Sequence, residues 1–229
     1  MRVGLMGMRQ RPAVFHIAAQ MQQLGTPPAA IFMDPKLPSE KDRRIWEERT
    51  GGRIADGDLD SLKVPLIDCS HQDANFADLV TKHRIDLLVS AATPGLVPRS
   101  TLTACPRGIL NVHPGRLPQY RGCTCVEWAI FNDDQIGNSV HFMSEGFDEG
   151  AVVVVEDYVF TKQDRYIDIR VKVLAAGFSL LARATSDLMR TGNVIAVPQG
   201  PGQYYKPIPE DKMTEVLRKL QSEEYRYQL

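Results

Sequence analysis

No apolar run in this chain approaches the roughly 20 residues that a membrane-spanning helix needs. Nor is there the basic-then-apolar opening of a secretory signal. Met1-Arg2-Val3-Gly4-Leu5 goes straight into strand-like sequence, so a cytoplasmic location is expected. An excess of one charge is also missing. Lys plus Arg number 27 and Asp plus Glu 28, for a net charge of −1. The whole chain therefore lacks the basic footprint of a nucleic-acid partner, and neither nucleic acid nor membrane is expected. Cysteine is scarce: Cys69, Cys105, Cys123 and Cys125 form no paired metal spacing, because Cys123-Thr124-Cys125 has no second pair to complete it. They read as reduced thiols, and no metal is expected; zinc held by Cys123, Cys125 and His113 is the alternative. Internal repeats and low-complexity tracts are absent. The loop Gly7-Met8-Arg9-Gln10-Arg11 is not G-x-G-x-x-G, so a dinucleotide fingerprint is missing too.

What remains is an ordinary globular composition, 43% apolar and 24% charged over 229 residues. Arg2 to Met6 reads as an apolar strand. Pro12 suits the first turn of a helix whose Val14, Ile17, Ala18, Met21 and Leu24 fall at helical spacing before Gly25. Pro28 to Met33 reads as a second strand. This βαβ pattern predicts a doubly wound, mostly parallel sheet. Lys36 to Gly52 is charged and reads as a solvated helix or loop anchored by Ile45 and Trp46. Val64–Asp68 reads as a short strand and Ile85–Ala91 as one buried on both faces. Further strands are predicted at Arg107–Val112, Gly137–Met143, Ala151–Phe160 and Val194–Val197. Helices are predicted at 75–83, 98–105, 123–132, 168–188 and from Pro209 onward.

The organising stretch is Leu110-Asn-Val-His-Pro-Gly-Arg-Leu-Pro-Gln-Tyr-Arg-Gly122. It places Asn111 and His113 two residues apart at a strand end, on one face. Pro114 and Pro118 make the following loop stiff. About 30 residues on, a strand containing His141 ends near Met143, and Asp148 sits in a loop between Gly146 and Gly150. N-x-H-P, then L-P-x-Y-R-G, then the strand histidine and D-x-G, resembles the folate-dependent formyltransferases. Among these it looks closest to the small sugar N-formyltransferases. The match is good over roughly residues 85 to 155. Gly115 stands where that family commonly has Ser.

The resemblance implies an N-formyltransferase using 10-formyltetrahydrofolate as formyl donor, with Asn111, His113 and Asp148 as the catalytic set. His113 and Asn111 would stabilise the oxyanion, and Asp148 would support His113 and take the proton of the amine. The pterin slot is expected between Ala92, Thr93, Pro94, Gly95, Leu96 and Val97 on one side and Ser144, Glu145, Gly146 and Phe147 on the other. Arg9, Arg11, Tyr120, Arg121, Tyr204 and Tyr205 are the candidate acceptor contacts. His141 reads either as a core residue or as a neighbour of the site; His16 and His83 read as structural. A catalytic domain over 1–190 and a small extension over 191–229 are expected. The extension is too short for the barrel of methionyl-tRNA formyltransferases, and its apolar helix suggests a homodimer contact. The favoured acceptor is the amine of a nucleotide-linked amino sugar. Glycinamide ribonucleotide, hydrolysis of the donor and a non-catalytic binding module are the alternatives; the lack of a G-S-N type loop after the first strand counts against the ribonucleotide.

Overall fold

The computed structural model describes residues 1–93 and 95–229. Its centre is a seven-stranded sheet in the order β3-β2-β1-β4-β5-β7-β8. The strands are β1 (Val3–Met8), β2 (Ala30–Asp34), β3 (Leu66–Asp68), β4 (Leu87–Ala91), β5 (Ile109–His113), β7 (Ile136–Phe142) and β8 (Val152–Tyr158). The first five pair in parallel; β5–β7 and β7–β8 are antiparallel. Strands β1, β2 and β4 are buried at every position, which is why they read as continuous apolar runs rather than as alternating ones. The predicted doubly wound, mostly parallel architecture is therefore what the chain adopts.

Helix α1 (Pro12–Gln23) and the long α6 (Tyr166–Thr191) pack together on one face. Val14, Ile17, Ala18 and Met21 meet Phe178, Leu180, Leu181 and Leu188 in the largest core cluster. The other face carries α3 (Phe76–Lys82) and α4 (Arg99–Leu102), over Phe32, Phe76, Val80, Leu88 and Ile109. The charged stretch expected as helix or loop is α2 (Glu40–Thr50). Ser39 and Asp42 exchange hydrogen bonds as a capping box, which satisfies two otherwise orphaned amides. Helix α6 starts two residues earlier than its apolar stripe suggests. Asp168 accepts the Arg165 N–H at 2.8 Å and so closes its first turn.

Two expectations differ at the C-terminal end. Val194–Val197 forms no strand; Val197 alone bridges Val152, because Pro198 ends the pairing. The segment after α6 does not stand off as an appendage. Tyr204–Tyr205 (β9) pairs in parallel with Arg121–Gly122 (β6). Helix α7 (Glu210–Gln221) lays Val216 and Leu220 against α5 (Cys125–Phe131). Tyr225 is fully buried in the same cluster with Ile130, Ile136 and Phe160. Of the apolar stripe that suggested a dimer contact, Val216 and Leu220 are thus buried within the chain, while Leu217 stays exposed. No helix among the described residues is long and apolar enough to cross a membrane.

Candidate active site

Parallel strands β1, β4 and β5 end on one edge of the sheet, where open α/β folds keep their ligand crevice. Strand β5 brings Asn111 and His113 there. Antiparallel β7 sets His141 opposite Asn111 and Ser139 opposite His113. The loop from β7 to β8 returns Asp148 over these strand ends. Its carboxylate is the meeting point. Oδ2 lies 3.3 Å from His113 Nδ1 and accepts the Gly122 N–H at 2.9 Å. Oδ1 lies 3.7 Å from His141 Nε2. The two rings are 5% and 2% exposed, Asp148 17%.

The partners fix the histidine protons. His141 Nδ1 lies 2.9 Å from the Phe142 carbonyl, which can only accept, so this nitrogen carries hydrogen. Its Nε2 is then free to accept from Asn111 Nδ2 at 3.3 Å. His141 is neutral in this arrangement. Burial lowers its pKa, with Asp148 opposing. His113 Nε2 donates to the Tyr120 carbonyl at 2.7 Å. A second proton on Nδ1 would face Asp148, giving an imidazolium held between carbonyl and carboxylate. Burial pushes the His113 pKa down; Asp148 and the Tyr120 carbonyl push it up, and burial prevails. The Tyr120 contact depends on Gly115. A Cβ there would fall 2.6 Å from both His113 Nε2 and Tyr120 O.

A cavity of about 160 Å³ opens beside this cluster. Thr93, Gly95, Leu96 and Val97 line one side and Ser144, Gly146 and Phe147 the other, as expected; Asn111, His141 and Asp148 close its base. Two expected slot residues stand outside it. Glu145 points away to pair with Arg99 at 3.3 Å, and Ala92 lies at the turn, with φ 58°. Pro94 lies outside the described residues. Apolar Leu96, Val97, Met143 and Phe147 beside polar Ser90, Thr93 and Asn111 suit a flat heterocycle with polar edges, so the residues present fit the pterin of a folate.

The acceptor candidates fare unevenly. Tyr120 is 4% exposed, gives its hydroxyl to Asp134 at 2.6 Å and stacks on Tyr205 at 5.0 Å. Tyr205 also packs on Trp128. Both belong to the core cluster under α7 and do not face the cavity; the apolar rings were needed there. Tyr204, one residue away on the opposite side of β9, is exposed and faces Phe147 at 6.2 Å. Arg9 is ion-paired with Asp68, and the Arg11 guanidinium lies 5.7 Å over Trp46. Neither arginine lines the cavity. Arg11 instead borders a separate groove with Arg43, Trp46 and Glu47. All four cysteines are free, and no group of three His, Cys, Asp or Glu among the described residues is arranged to hold a metal.

Sequence reasoning missed Ser90, Met143 and Gln199. Ser90 and Met143 sit at the ends of apolar strands and carried no polar pattern of their own. Gln199 lies in a turn-rich stretch 51 residues beyond Asp148, yet it donates to the Asp148 carbonyl at 2.8 Å. Arg121 binds Gln199 Oε1 from Nε at 3.1 Å and from Nη2 at 2.9 Å, and is only 12% exposed.

A family model described as "Formyl transferase" matches residues 52–185. The methionyl-tRNA formyltransferase of Syntrophus aciditrophicus is 27% identical over 70% of this chain and 50% of its own length. That of Pelotomaculum thermopropionicum is 31% identical over 67% of this chain and 50% of its own. The chain spans about half the length of these curated relatives. Among solved structures, a sugar N-formyltransferase from Shewanella sp superposes with a TM-score of 0.64 at 20% identity, over 91% of this chain and 77% of that one. Such low identity speaks for the fold alone. With more than half of its residues inside the matched model, this chain belongs to the formyl transferase family.

Proposed function

We propose that the protein transfers a formyl group from 10-formyltetrahydrofolate to the amine of a nucleotide-linked amino sugar. The observation that carries the transfer chemistry is Asp148, held between two imidazoles and a backbone N–H at the base of a cavity suited to a pterin. The donor supplies an activated formyl carbonyl. Asn111 offers a neutral N–H toward the oxyanion that develops when an amine adds. Removing one donor of this kind costs about 10²–10³ in rate. His113, anchored on the Tyr120 carbonyl, sets its imidazole against Asp148 at the base of the cavity. Asp148, which supports His113, accepts the proton that leaves the attacking nitrogen; the tetrahedral intermediate then collapses as the formyl carbon–N10 bond breaks, and that proton passes to N10 of the departing tetrahydrofolate.

The acceptor assignment rests on the surroundings of the cavity. Tyr204 and Phe147, both exposed, flank its mouth and suit a base or sugar ring. Arg11 stands two strands from β5, at the same sheet edge. Strands about 4.8 Å apart put that loop about 10 Å across the crevice, within the span of a nucleotide diphosphate. The net charge of −1 gives no broad basic face for tRNA. The second reading is an aminoacyl acceptor, favoured by curated relatives that are methionyl-tRNA formyltransferases. Incubation with formyl donor and a panel of nucleotide amino sugars, glycinamide ribonucleotide and methionyl-tRNA decides between them. Formylation of an amino sugar is expected. Turnover of methionyl-tRNA alone would overturn the sugar assignment, and donor hydrolysis at the same rate without any acceptor would overturn the transfer reading.

A further inference from the structure

The loop that carries Asp148 has little of its own to hold it. Asp148 sits at φ 54°, a left-handed conformation that Asp tolerates better than most residues with a Cβ but that still favours glycine. Within the loop, Ser144 Oγ reaches the Gly146 carbonyl at 3.3 Å, and the Phe142 N–H reaches the Ala151 carbonyl at 2.9 Å. The firmest contacts come from far along the chain. Gln199 Nε2 donates to the Asp148 carbonyl at 2.8 Å and to the Gly150 carbonyl at 2.6 Å. The amide cannot be turned over without loss. Its Oε1 accepts two hydrogen bonds from Arg121, and a guanidinium has no acceptor to offer in exchange. Arg121 Nη2 also donates to the Gly200 carbonyl at 3.0 Å. The backbone on either side of Gln199 is pegged: Val197 and Val152 exchange hydrogen bonds at 2.8 Å each, and β9 pairs with β6. Arg121 immediately precedes Gly122, whose N–H holds Asp148 Oδ2. The Asp148 backbone is therefore held by Gln199 and its carboxylate by Gly122, and Arg121 ties the two together.

Resting on the formyl-transfer reading, we propose that Gln199, oriented by Arg121, is a positioning residue that holds the Asp148 carboxylate on His113. It touches neither reactant; it acts through the two loop carbonyls. The titratable groups that face Asp148 are His113 on β5, His141 on β7, Cys125 at the start of α5 and Tyr204 on β9, and Gln199 itself carries no charge.

Two variants separate positioning from packing. Gln199→Met keeps the length and removes every polar atom. Gln199→Glu keeps the partner for Arg121 but turns acceptor oxygens toward the two carbonyls. Both are expected to lower kcat by roughly 10- to 100-fold, the scale of a small displacement of a reacting group. The KM for the formyl donor should stay within about threefold, because the slot residues are untouched. In ligand-free Gln199→Met, which adds no charge, the NMR titration midpoint of the His113 ring should fall as the carboxylate withdraws. Full kcat and an unmoved His113 midpoint, with only a lower melting temperature, would overturn the proposal. So would full activity in Gln199→Glu alone, which still offers Arg121 an acceptor oxygen should Gln199→Met fail to fold. The NMR arm needs no acceptor. A shifted midpoint in a protein that formylates nothing would leave the positioning role standing and overturn the reaction proposed above.

Discussion

Gly115→Ala tests the arrangement at His113 directly. The added Cβ would lie 2.6 Å from His113 Nε2, 2.6 Å from the Tyr120 carbonyl oxygen and 3.0 Å from Cys125 Cβ. Carbon does not approach nitrogen or oxygen that closely, and two of these three neighbours are hemmed in by backbone or by core packing. Either the carbonyl or the ring must move, and the 2.7 Å hydrogen bond between them opens. A lost buried hydrogen bond is worth about 0.5–1.5 kcal/mol and overpacking about 1–3 kcal/mol, so a destabilisation of about 2–4 kcal/mol is expected. The ring cannot retreat without leaving Asp148, so turnover should fall as well, by roughly 10²-fold for a shift of about 1 Å. Urea unfolding and steady-state formyl transfer read the two effects on one preparation. Gly115→Ser should behave alike, although Ser is the common residue at this position in the resembling family. A variant with wild-type stability and wild-type kcat would refute the reasoning, because it would mean the Tyr120 carbonyl does not lie against His113.

Asp148→Asn, His113→Ala and Asn111→Ala should each lower kcat by about 10² or more with donor affinity, followed by fluorescence titration, unchanged; an Asn111→Ala effect confined to KM would make it a binding residue. Burial holds the pKa of His113 and His141 below the ordinary 6.5, so the unfolded chain takes up protons first as pH falls. Their contribution is therefore fully present above about pH 6.5 and declines below it, by at most ~1.4 kcal/mol per pH unit for each histidine. Urea midpoints at pH 7.5 and 5.5 should differ accordingly, and His141→Gln should shrink the difference; identical midpoints in the wild type would contradict the neutral assignment. Arg11→Ala should raise the acceptor KM by roughly tenfold, given ~1.5–3 kcal/mol for a charged hydrogen bond, while Arg9→Ala, already engaged with Asp68, should do little. An unchanged acceptor KM in the Arg11 variant would move the diphosphate elsewhere.

The central strands β1, β2 and β4 were legible because they are buried on both faces, so short apolar runs such as Leu87–Ala91, bounded by turn residues, mark them. Asn111, His113 and Asp148 were legible because they sit in a dense local motif, and geometry brings them together as the motif implied. His141 was ambiguous for a physical reason. A histidine inside an apolar strand looks the same whether it packs or serves, and only the register opposite Asn111 decides. Tyr120, Tyr204 and Tyr205 were indistinguishable in sequence, yet one side of a two-residue strand faces the core and the other faces solvent. Gln199 was invisible because its partners are 78 and 51 residues away and nothing in its own neighbourhood signals them.

That separation also sets an order of events as the chain is made. Every residue that touches the cavity lies between Ser90 and Asp148, and all of them leave the ribosome before Gln199 does. The pairing of Arg121 with Gln199 and of β6 with β9 must wait for the last quarter of the sequence. A nascent chain can thus complete its sheet and its donor slot while the carboxylate is still loosely held. Activity should therefore appear later in synthesis than the folded core, and later than binding of the pterin.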